Sequence, residues 1–132
     1  MIVFILKHKH EPWRVLGRLM CDRAVHRDVG GPLFSGPGSV WFVALDSGGR
    51  EAVGFCSLSD RGSTVWYDCA YVVPQCRGAG VFSAVAQQRD EFSARLSKPV
   101  KTSVRPERWH HYAERGFARE YERDGWVYGV RS

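Results

Sequence analysis

Apolar residues follow two different periods on either side of a glycine-rich turn near the middle of the chain. Residues 64–73 are rich in β-branched and aromatic types, which favours a strand, and Pro74 cannot continue its hydrogen-bonded ladder. In residues 81–96 apolar positions recur at helical intervals, whereas charged and amide side chains occupy the opposite face. The pattern predicts a strand that enters an amphipathic helix through a turn containing Gly78 and Gly80.

The same two periods, together with turn signals, predict the other elements. Asp124-Gly125 is a strong signal for a short hairpin between two strands. The remaining predicted elements are a strand at 1–7, a helix at 11–27, strands at 40–45, 52–58 and 100–104, a helix at 106–116, and strands at 117–122 and 126–130. We therefore expect an α/β fold of the α+β kind, in the order β-α-β-β-β-α-β-α-β-β.

Composition places the chain among ordinary globular proteins. With 132 residues, 44% of them apolar and 25% charged, it is expected to form one domain, 1–132, around a sizeable core. No apolar run approaches the roughly 18 residues that cross a bilayer, and Lys7 follows the apolar start, unlike a signal peptide. The cysteines show no close pair and no metal spacing, which favours reduced thiols. We expect a cytoplasmic protein with no membrane segment.

The turn after residue 73 has the features of an anion-binding site. A helix that begins after Gly78-x-Gly80 presents unpaired backbone N–H groups, and the glycines let a phosphate approach the main chain. A nucleoside-triphosphatase loop is not expected, because no Lys-Ser/Thr pair follows Gly80. A dinucleotide-binding loop is not expected either, because Ser83 stands where the third glycine of that motif belongs.

Two segments of the chain resemble one known family. Gln75, Gly78 and Gly80 match Gln/Arg-x-x-Gly-x-Gly/Ala, a motif between the fourth strand and a long helix of the GCN5-related N-acetyltransferases. Residues 105–117 resemble the family's Asn-Pro…Tyr-x-x-x-Gly-Phe segment without a gap, and the matching residues are Pro106, Tyr112, Gly116 and Phe117. The sequence departs from that segment at Arg105, where the family usually has asparagine. In element order the resemblance covers the chain from residue 40 to its end.

The resemblance implies a mixed, mostly antiparallel sheet of six to seven strands with three to four helices, and acetyl-coenzyme A as co-substrate. The pyrophosphate would lie on the amides of the glycine turn, and the pantetheine arm would pair with the central strand. The residues implied to bind the coenzyme are Tyr71, Val72, Val73, Arg77, Gly78, Ala79, Gly80, Val81, Phe82 and Arg105. No metal is expected, because the pair His8-x-His10 lacks a third ligand.

Direct transfer to an amine needs a base for the ammonium proton and an acid for the departing thiolate. The resemblance implies that Tyr112 is the acid, since an unperturbed phenol has a pKa of about 10 and still carries its proton at neutral pH. Asp68 is the one carboxylate inside the central strand, which suggests the base. Two plainer interpretations stay open: Tyr112 packs its ring between helix and sheet, and Asp68 is a solvated, edge-facing residue.

The loop before the second predicted strand contains two apolar residues, Leu33 and Phe34. In the family this region borders the acceptor pocket, so we expect them either to contact the acceptor or to pack beneath the loop. The acceptor is expected to be an amine on a small molecule or a protein. His110 and His111 are interpreted as solvated helix positions.

Two other functions stay open from the sequence. The first is a protein that keeps the fold and binds and regulates another protein without catalysis. The second is modification of a nucleic-acid base, because the formal net charge of +5 attracts phosphates, although no nucleic-acid-binding motif is present. Since the family often pairs through its last strands, a homodimer is a further expectation.

Overall fold

The structure is a computed structural model that describes all 132 residues. The strands are β1 (Ile2–Lys7), β2 (Ser39–Leu45), β3 (Ala52–Asp60), β4 (Val65–Val72), β5 (Val100–Val104), β6 (Ala118–Arg123) and β7 (Trp126–Arg131). The α-helices are α1 (Trp13–Met20), α2 (Arg23–Val29), α3 (Val81–Leu96) and α4 (Trp109–Ala113). The strands form one sheet in the order β1-β2-β3-β4-β5-β7-β6, in which only β4 and β5 are parallel. The predicted fold class is therefore confirmed.

The first helical region differs from the prediction, because residues 11–27 do not form one helix. The chain breaks after Met20, and the Asp22 carboxylate accepts a hydrogen bond from Ala24 N–H at 2.8 Å, which caps α2 at its start. Gly30 then ends α2 in the left-handed conformation, with φ +93°. Apolar spacing runs through both helices, so it did not reveal the local cap that separates them.

The sheet buries a hydrophobic cluster on each face. Helix α3 covers one face, where Phe42, Leu58 and Val85 are fully buried. Helices α1 and α2 cover the other, where Leu16 and Val25 pack against residues that include Trp41 and Phe55. Full burial of such side chains stabilises a fold by about 1.5–3 kcal/mol each. The sheet is thus a central layer with helices packed on both faces.

A β-bulge in β4 opens the middle of the sheet. Ser57 of β3 pairs with Cys69, but the next residue of β3 pairs with Tyr67, so Asp68 is the extra residue on β4. The parallel pairing of β4 with β5 covers only three residues of β4 and ends at Tyr67. Beyond it, β5 continues to pair with β7 while β4 turns away. The two central strands therefore separate from Asp68 onward and leave a wedge between them.

One glycine allows the start of α3 to approach the sheet. Val81 is the first residue of α3, and a Cβ added to Gly54 would lie only 2.5 Å from its side chain, too close for any residue but glycine. This close approach brings the amino end of α3 to the wedge. At the far edge of the sheet, Asp124 and Gly125 both have positive φ, 52° and 81°, as a tight hairpin turn requires. None of the helices is both long and apolar enough to span a bilayer.

Candidate active site

The wedge between β4 and β5 is a cavity of about 420 Å³, which we call the central groove. Its walls are the second half of β4, the last residues of β5, the glycine turn, the start of α3, and parts of α2 and α4. Eight of the ten residues expected to bind the coenzyme line it: Tyr71, Val72, Arg77, Gly78, Gly80, Val81, Phe82 and Arg105. The structure therefore brings together residues from two segments that lie far apart in the sequence.

The other two expected contacts, Val73 and Ala79, are not among the residues that line the groove. The Val73 N–H donates to the Val53 carbonyl, and the Val73 carbonyl accepts from Cys76 N–H, both at 2.9 Å. The Val73 N–H is therefore engaged, while its carbonyl keeps one lone pair, so a contact between Val73 and the pantetheine arm stays a prediction.

The glycine turn has the geometry of an anion cradle. Gly78 and Gly80 have φ of +80° and +83°, and a Cβ added to either would meet nothing within 4 Å. The first bond of α3 joins Ala84 N–H to the Gly80 carbonyl at 3.1 Å, so the amides of residues 78–83 have no partner within the helix. These amides belong to the amino end of α3, a helix of 16 residues, so the positive end of the helix dipole lies at the groove. This end of the groove suits a phosphate group.

Three charged side chains meet at another part of the groove. Arg108 donates two hydrogen bonds to the Asp28 carboxylate, at 2.7 and 3.0 Å, and Arg77 Nη2 lies 3.8 Å from the same carboxylate. The Asp28 carboxylate raises the pKa of Arg108. Arg77 also folds back on β4, where its Nε donates to the Val72 carbonyl at 2.8 Å. Sequence reasoning missed Asp28 and Arg108, because 80 positions separate them and neither belongs to a motif.

Arg105 lines the groove beside Trp126. Its guanidinium carbon lies 4.3 Å from the centre of the Trp126 ring, so it stacks on an aromatic wall of the groove. From there its charge still faces the groove, which Trp126 also lines.

Tyr112 is buried in the floor of the groove, with 6% of its surface exposed. Its ring packs against Phe117, with ring centres 5.7 Å apart, and its hydroxyl oxygen lies 3.5 Å from Nη2 of Arg89. Tyr112 therefore both packs its ring in the core and lines the groove. The neighbouring His111 also lines the groove, and burial, followed by the charge on His110, lowers its pKa. His110 is exposed, as the sequence suggested, whereas His111 is half-buried and so less solvated than expected.

Asp68 stands at the bulge, where the central groove meets a second cavity. Its Oδ1 accepts hydrogen bonds from Ser59 Oγ at 3.2 Å and from Arg61 Nη2 at 3.1 Å. Asp68 is an exposed residue, as the solvated interpretation expects, with 31% of its side chain accessible. Partial burial of its carboxyl nevertheless raises the pKa of Asp68 against the opposing effects of Ser59 and Arg61. A carboxylate with a raised pKa is a better proton acceptor than an ordinary surface aspartate.

The second cavity, which we call the loop cavity, has a volume of about 560 Å³ and lies beneath residues 29–39. Leu33 and Phe34 both line it, as do Asp68 and Cys69. Phe34 is 81% exposed, whereas Leu33 is half-buried against the cluster around Trp41. The expected substrate residues therefore line a different cavity from the coenzyme residues, and Asp68 lines both cavities.

Two free thiols reach the cavities: Cys69 lines both of them, and Cys76 lines the central groove. Cys69 lies beside Asp68 at the bulge. Its sulfur lies 3.0 Å from Ser57 Oγ, and burial raises the pKa of Cys69 to about 12. It is therefore protonated at neutral pH and a poor nucleophile. No group of three or more His, Cys, Asp or Glu side chains is placed to hold a metal ion. His8 instead contacts Ser35 Oγ at 2.9 Å.

The separated central strands, the glycine turn and the helix behind it together define the fold of the GCN5-related N-acetyltransferases, and solved structures bear this out. Escherichia coli ElaA superimposes with a TM-score of 0.80 at 18% identity and full coverage of both chains. An acyl-CoA N-acyltransferase from Pseudomonas aeruginosa gives 0.75 at 15% identity, with 99% of each chain covered. PaiA N-acetyltransferase from Thermoplasma acidophilum, solved in complex with coenzyme A, gives 0.67 at 10% identity, with 100% of this chain and 99% of that chain covered.

These likenesses confirm, at the level of fold, the family resemblance in the sequence. No family model and no curated protein matches the sequence.

Proposed function

We propose that the protein is an N-acyltransferase that moves an acetyl group from acetyl-coenzyme A directly to an amine. The observation that carries the proposal is the central groove: an anion cradle lies at the amino end of α3, and the groove continues past Tyr112 to Asp68. The fold adds support, because PaiA N-acetyltransferase, which shares it, has been solved with coenzyme A bound.

The groove offers a place for each part of the coenzyme. The pyrophosphate fits the free amides of residues 78–83, which no protein group occupies. The amide-rich pantetheine arm fits the edge of β4 that lost its pairing with β5, at Tyr71 and Val72. Because Arg77 Nε now bonds the Val72 carbonyl, binding along this edge requires the Arg77 side chain to swing away, toward the phosphates.

The acceptor amine enters through the loop cavity and meets the thioester at the bulge, since Asp68 lines both cavities. Asp68 takes a proton from the ammonium group, and the neutral amine attacks the thioester carbon, forming the C–N bond. The C–S bond then breaks with its electron pair going to sulfur, the Tyr112 hydroxyl gives a proton to the thiolate, and the nitrogen releases its second proton to solvent as the amide forms. Because the Cys69 thiol stays protonated, the proposal gives Cys69 no part as a nucleophile.

The loop cavity sets which amines are accepted. Phe34 offers an exposed apolar ring and Asp68 a carboxylate, so the cavity suits an amine attached to an apolar body on a small molecule or a protein.

The decisive measurement is calorimetric titration of the protein with acetyl-coenzyme A, beside two glycine variants. Gly78→Glu places a carboxylate in the anion cradle and should weaken binding at least about 100-fold, or ~2.7 kcal/mol. Gly49→Glu is the matched control, because Gly49 also has a positive φ, +68°, and open space around it, but lies in the distant β2–β3 hairpin. It should bind like the wild type.

Saturable binding lost only in the Gly78 variant justifies screening amines for release of free coenzyme thiol. Failure of the wild-type protein to bind acetyl-coenzyme A would contradict the proposal. Binding that survives in Gly78→Glu would place the coenzyme elsewhere on the protein.

A further inference from the structure

Arg89 is a fully buried cation beneath the bulge that opens the groove. It lies on α3 with 1% of its surface exposed, and its Nη1 donates to the carbonyl oxygens of Ser57 and Cys69, both at 3.2 Å. These two carbonyls belong to the residue pair next to Asp68, at the point where the β3–β4 ladder changes register. The guanidinium therefore fills the gap that the bulge leaves in the sheet.

No carboxylate lies within salt-bridge distance of Arg89. The adjacent Asp90 is engaged elsewhere, by Arg115 at 2.8 Å, by Arg131 at 3.1 Å and by the Tyr67 hydroxyl at 2.6 Å. The Nε of Arg89 has no hydrogen-bond partner at all. The Tyr67 ring, 3.9 Å from the guanidinium carbon, offsets part of the charge by a cation–π contact. Burying a cation without a counterion lowers the stability of the folded protein. We therefore expect Arg89 to have a role other than stabilising the fold.

On the groove side, Arg89 faces the hydroxyl of Tyr112. The distance from Nη2 to the hydroxyl oxygen is 3.5 Å, long for a hydrogen bond but short for the attraction between a cation and an oxygen lone pair. A guanidinium can only donate, so the oxygen must turn a lone pair toward Arg89 and its hydrogen away from it. Tyr112 has no other protein partner for this hydroxyl and lines the groove, so a group bound in the groove can accept a hydrogen bond from the O–H.

We propose that Arg89 is a positioning residue for acyl transfer: it aims the Tyr112 hydroxyl at the departing sulfur and stabilises the phenolate that remains. The inference rests on the proposed function. In the step concerned, the O–H bond of Tyr112 breaks and an S–H bond forms on the coenzyme thiolate. The phenolate, held against the buried cation, regains its proton from water after the products leave.

A double-mutant cycle separates this role from a purely structural one. The variants are Arg89→Met, Tyr112→Phe and their combination, with kcat, the KM of the acceptor and the coenzyme Kd measured for each. Tyr112→Phe should lower kcat about 100-fold and Arg89→Met at least about 10-fold, because loss of an aimed proton donor costs on this scale. If Arg89 acts through Tyr112, the double variant should be no slower than Tyr112→Phe alone, and the coenzyme Kd should stay within about twofold of wild type.

The matched control is Val85→Ala, one helical turn earlier in α3 and fully buried on the same side of the sheet. It disturbs the packing of α3 but removes no charge and no hydrogen-bonding group, so its effect on kcat should multiply with that of Tyr112→Phe. Arg89→Lys, which keeps the charge but not the fork, should recover part of the rate lost in Arg89→Met.

Multiplied losses in the Arg89→Met, Tyr112→Phe double variant would overturn the inference and leave the proposed function standing. If Arg89→Met does not fold by circular dichroism, the cycle is run with Arg89→Lys and judged by the same criterion. A wild-type protein that binds acetyl-coenzyme A but transfers acetyl to no amine would overturn the proposed function itself, and the inference with it.

Discussion

The central groove and the loop cavity meet at Asp68, yet they are built in different ways. The groove is walled by β4, β5 and the start of α3, elements whose positions follow from backbone pairing and from burial of the cluster around Phe42 and Val85. The loop cavity is roofed by residues 30–38, of which four are glycine and two are proline. Its shape therefore depends on one loop and on side chains such as Phe34.

This difference suggests that the central groove binds the coenzyme, which is the same in every reaction, and that the loop cavity selects the acceptor. A groove formed by strand separation and a helix terminus suits a constant ligand, because its binding groups are backbone amides that side-chain changes leave intact. A loop over the rigid sheet can change its residues without disturbing the fold, so acceptor preference is expected to lie there. Three changes test this division, and the largest effect is expected where the two cavities meet.

Asp68→Asn should remove the proton acceptor at the junction of the two cavities. We expect kcat to fall about 100-fold while the coenzyme Kd is unchanged, because the amide keeps the shape but accepts no proton. In the wild type, kcat at saturating acceptor should rise with pH as Asp68 loses its proton. Since burial raises the pKa of Asp68, this rise should lie above the ordinary aspartate pKa of about 4. The measurement is the pH dependence of kcat for both proteins.

In Asp68→Asn the rise of kcat at acid pH should disappear. Asp124→Asn, a change of the same kind at an exposed hairpin turn that tolerates asparagine, should keep both the rate and its pH dependence. A rise that persists unchanged in Asp68→Asn would assign the base to another group, with the groove-lining His111 the first to examine.

Phe34→Ala should affect the loop cavity alone. With 81% of its surface exposed, the ring contributes little to folding, so the melting temperature should hold. The acceptor KM should rise about 5- to 10-fold, because the bound acceptor would lose its apolar contact with the ring. A change of this size is usual when a ligand covers part of an aromatic side chain. Tyr121→Ala removes another exposed aromatic residue far from both cavities and should change neither KM nor coenzyme affinity. A change in coenzyme Kd in Phe34→Ala would contradict the separation of the two sites.

Asp28→Asn should affect the central groove alone, and in the direction of tighter binding. The Asp28 carboxylate holds Arg108 and attracts Arg77, and it also repels phosphates. Its removal should lower the coenzyme Kd about 3-fold at low salt, and the gain should shrink as salt screens the charges. Glu51→Gln, which removes a surface carboxylate paired with Arg18, controls for net charge. Weaker coenzyme binding in Asp28→Asn would show that the carboxylate holds the groove in shape.

Local signals predicted several elements closely. The sequence expectation for the fifth strand, 100–104, coincides with β5, and the hairpin at Asp124-Gly125 has the positive φ values that those residue types favour. The glycine turn and the start of α3 at Val81 were also predicted, because the change of apolar period and the glycines mark the turn within a few residues. The break between α1 and α2 was missed, since the cap at Asp22 left the apolar spacing unchanged.

The sequence by itself determined the seven strands, their order along the chain, and the helix α3 with its glycine turn, because periodicity, turn residues and helix termini act over a few neighbouring positions. Only the tertiary structure decided that Asp68 joins two cavities, that Arg108 reaches Asp28, and that Arg89 lies buried behind Tyr112. Each of these depends on strand register or on contacts between residues 20 or more positions apart. A one-residue bulge in β4 sets that register, and no short stretch of sequence records where the bulge will fall.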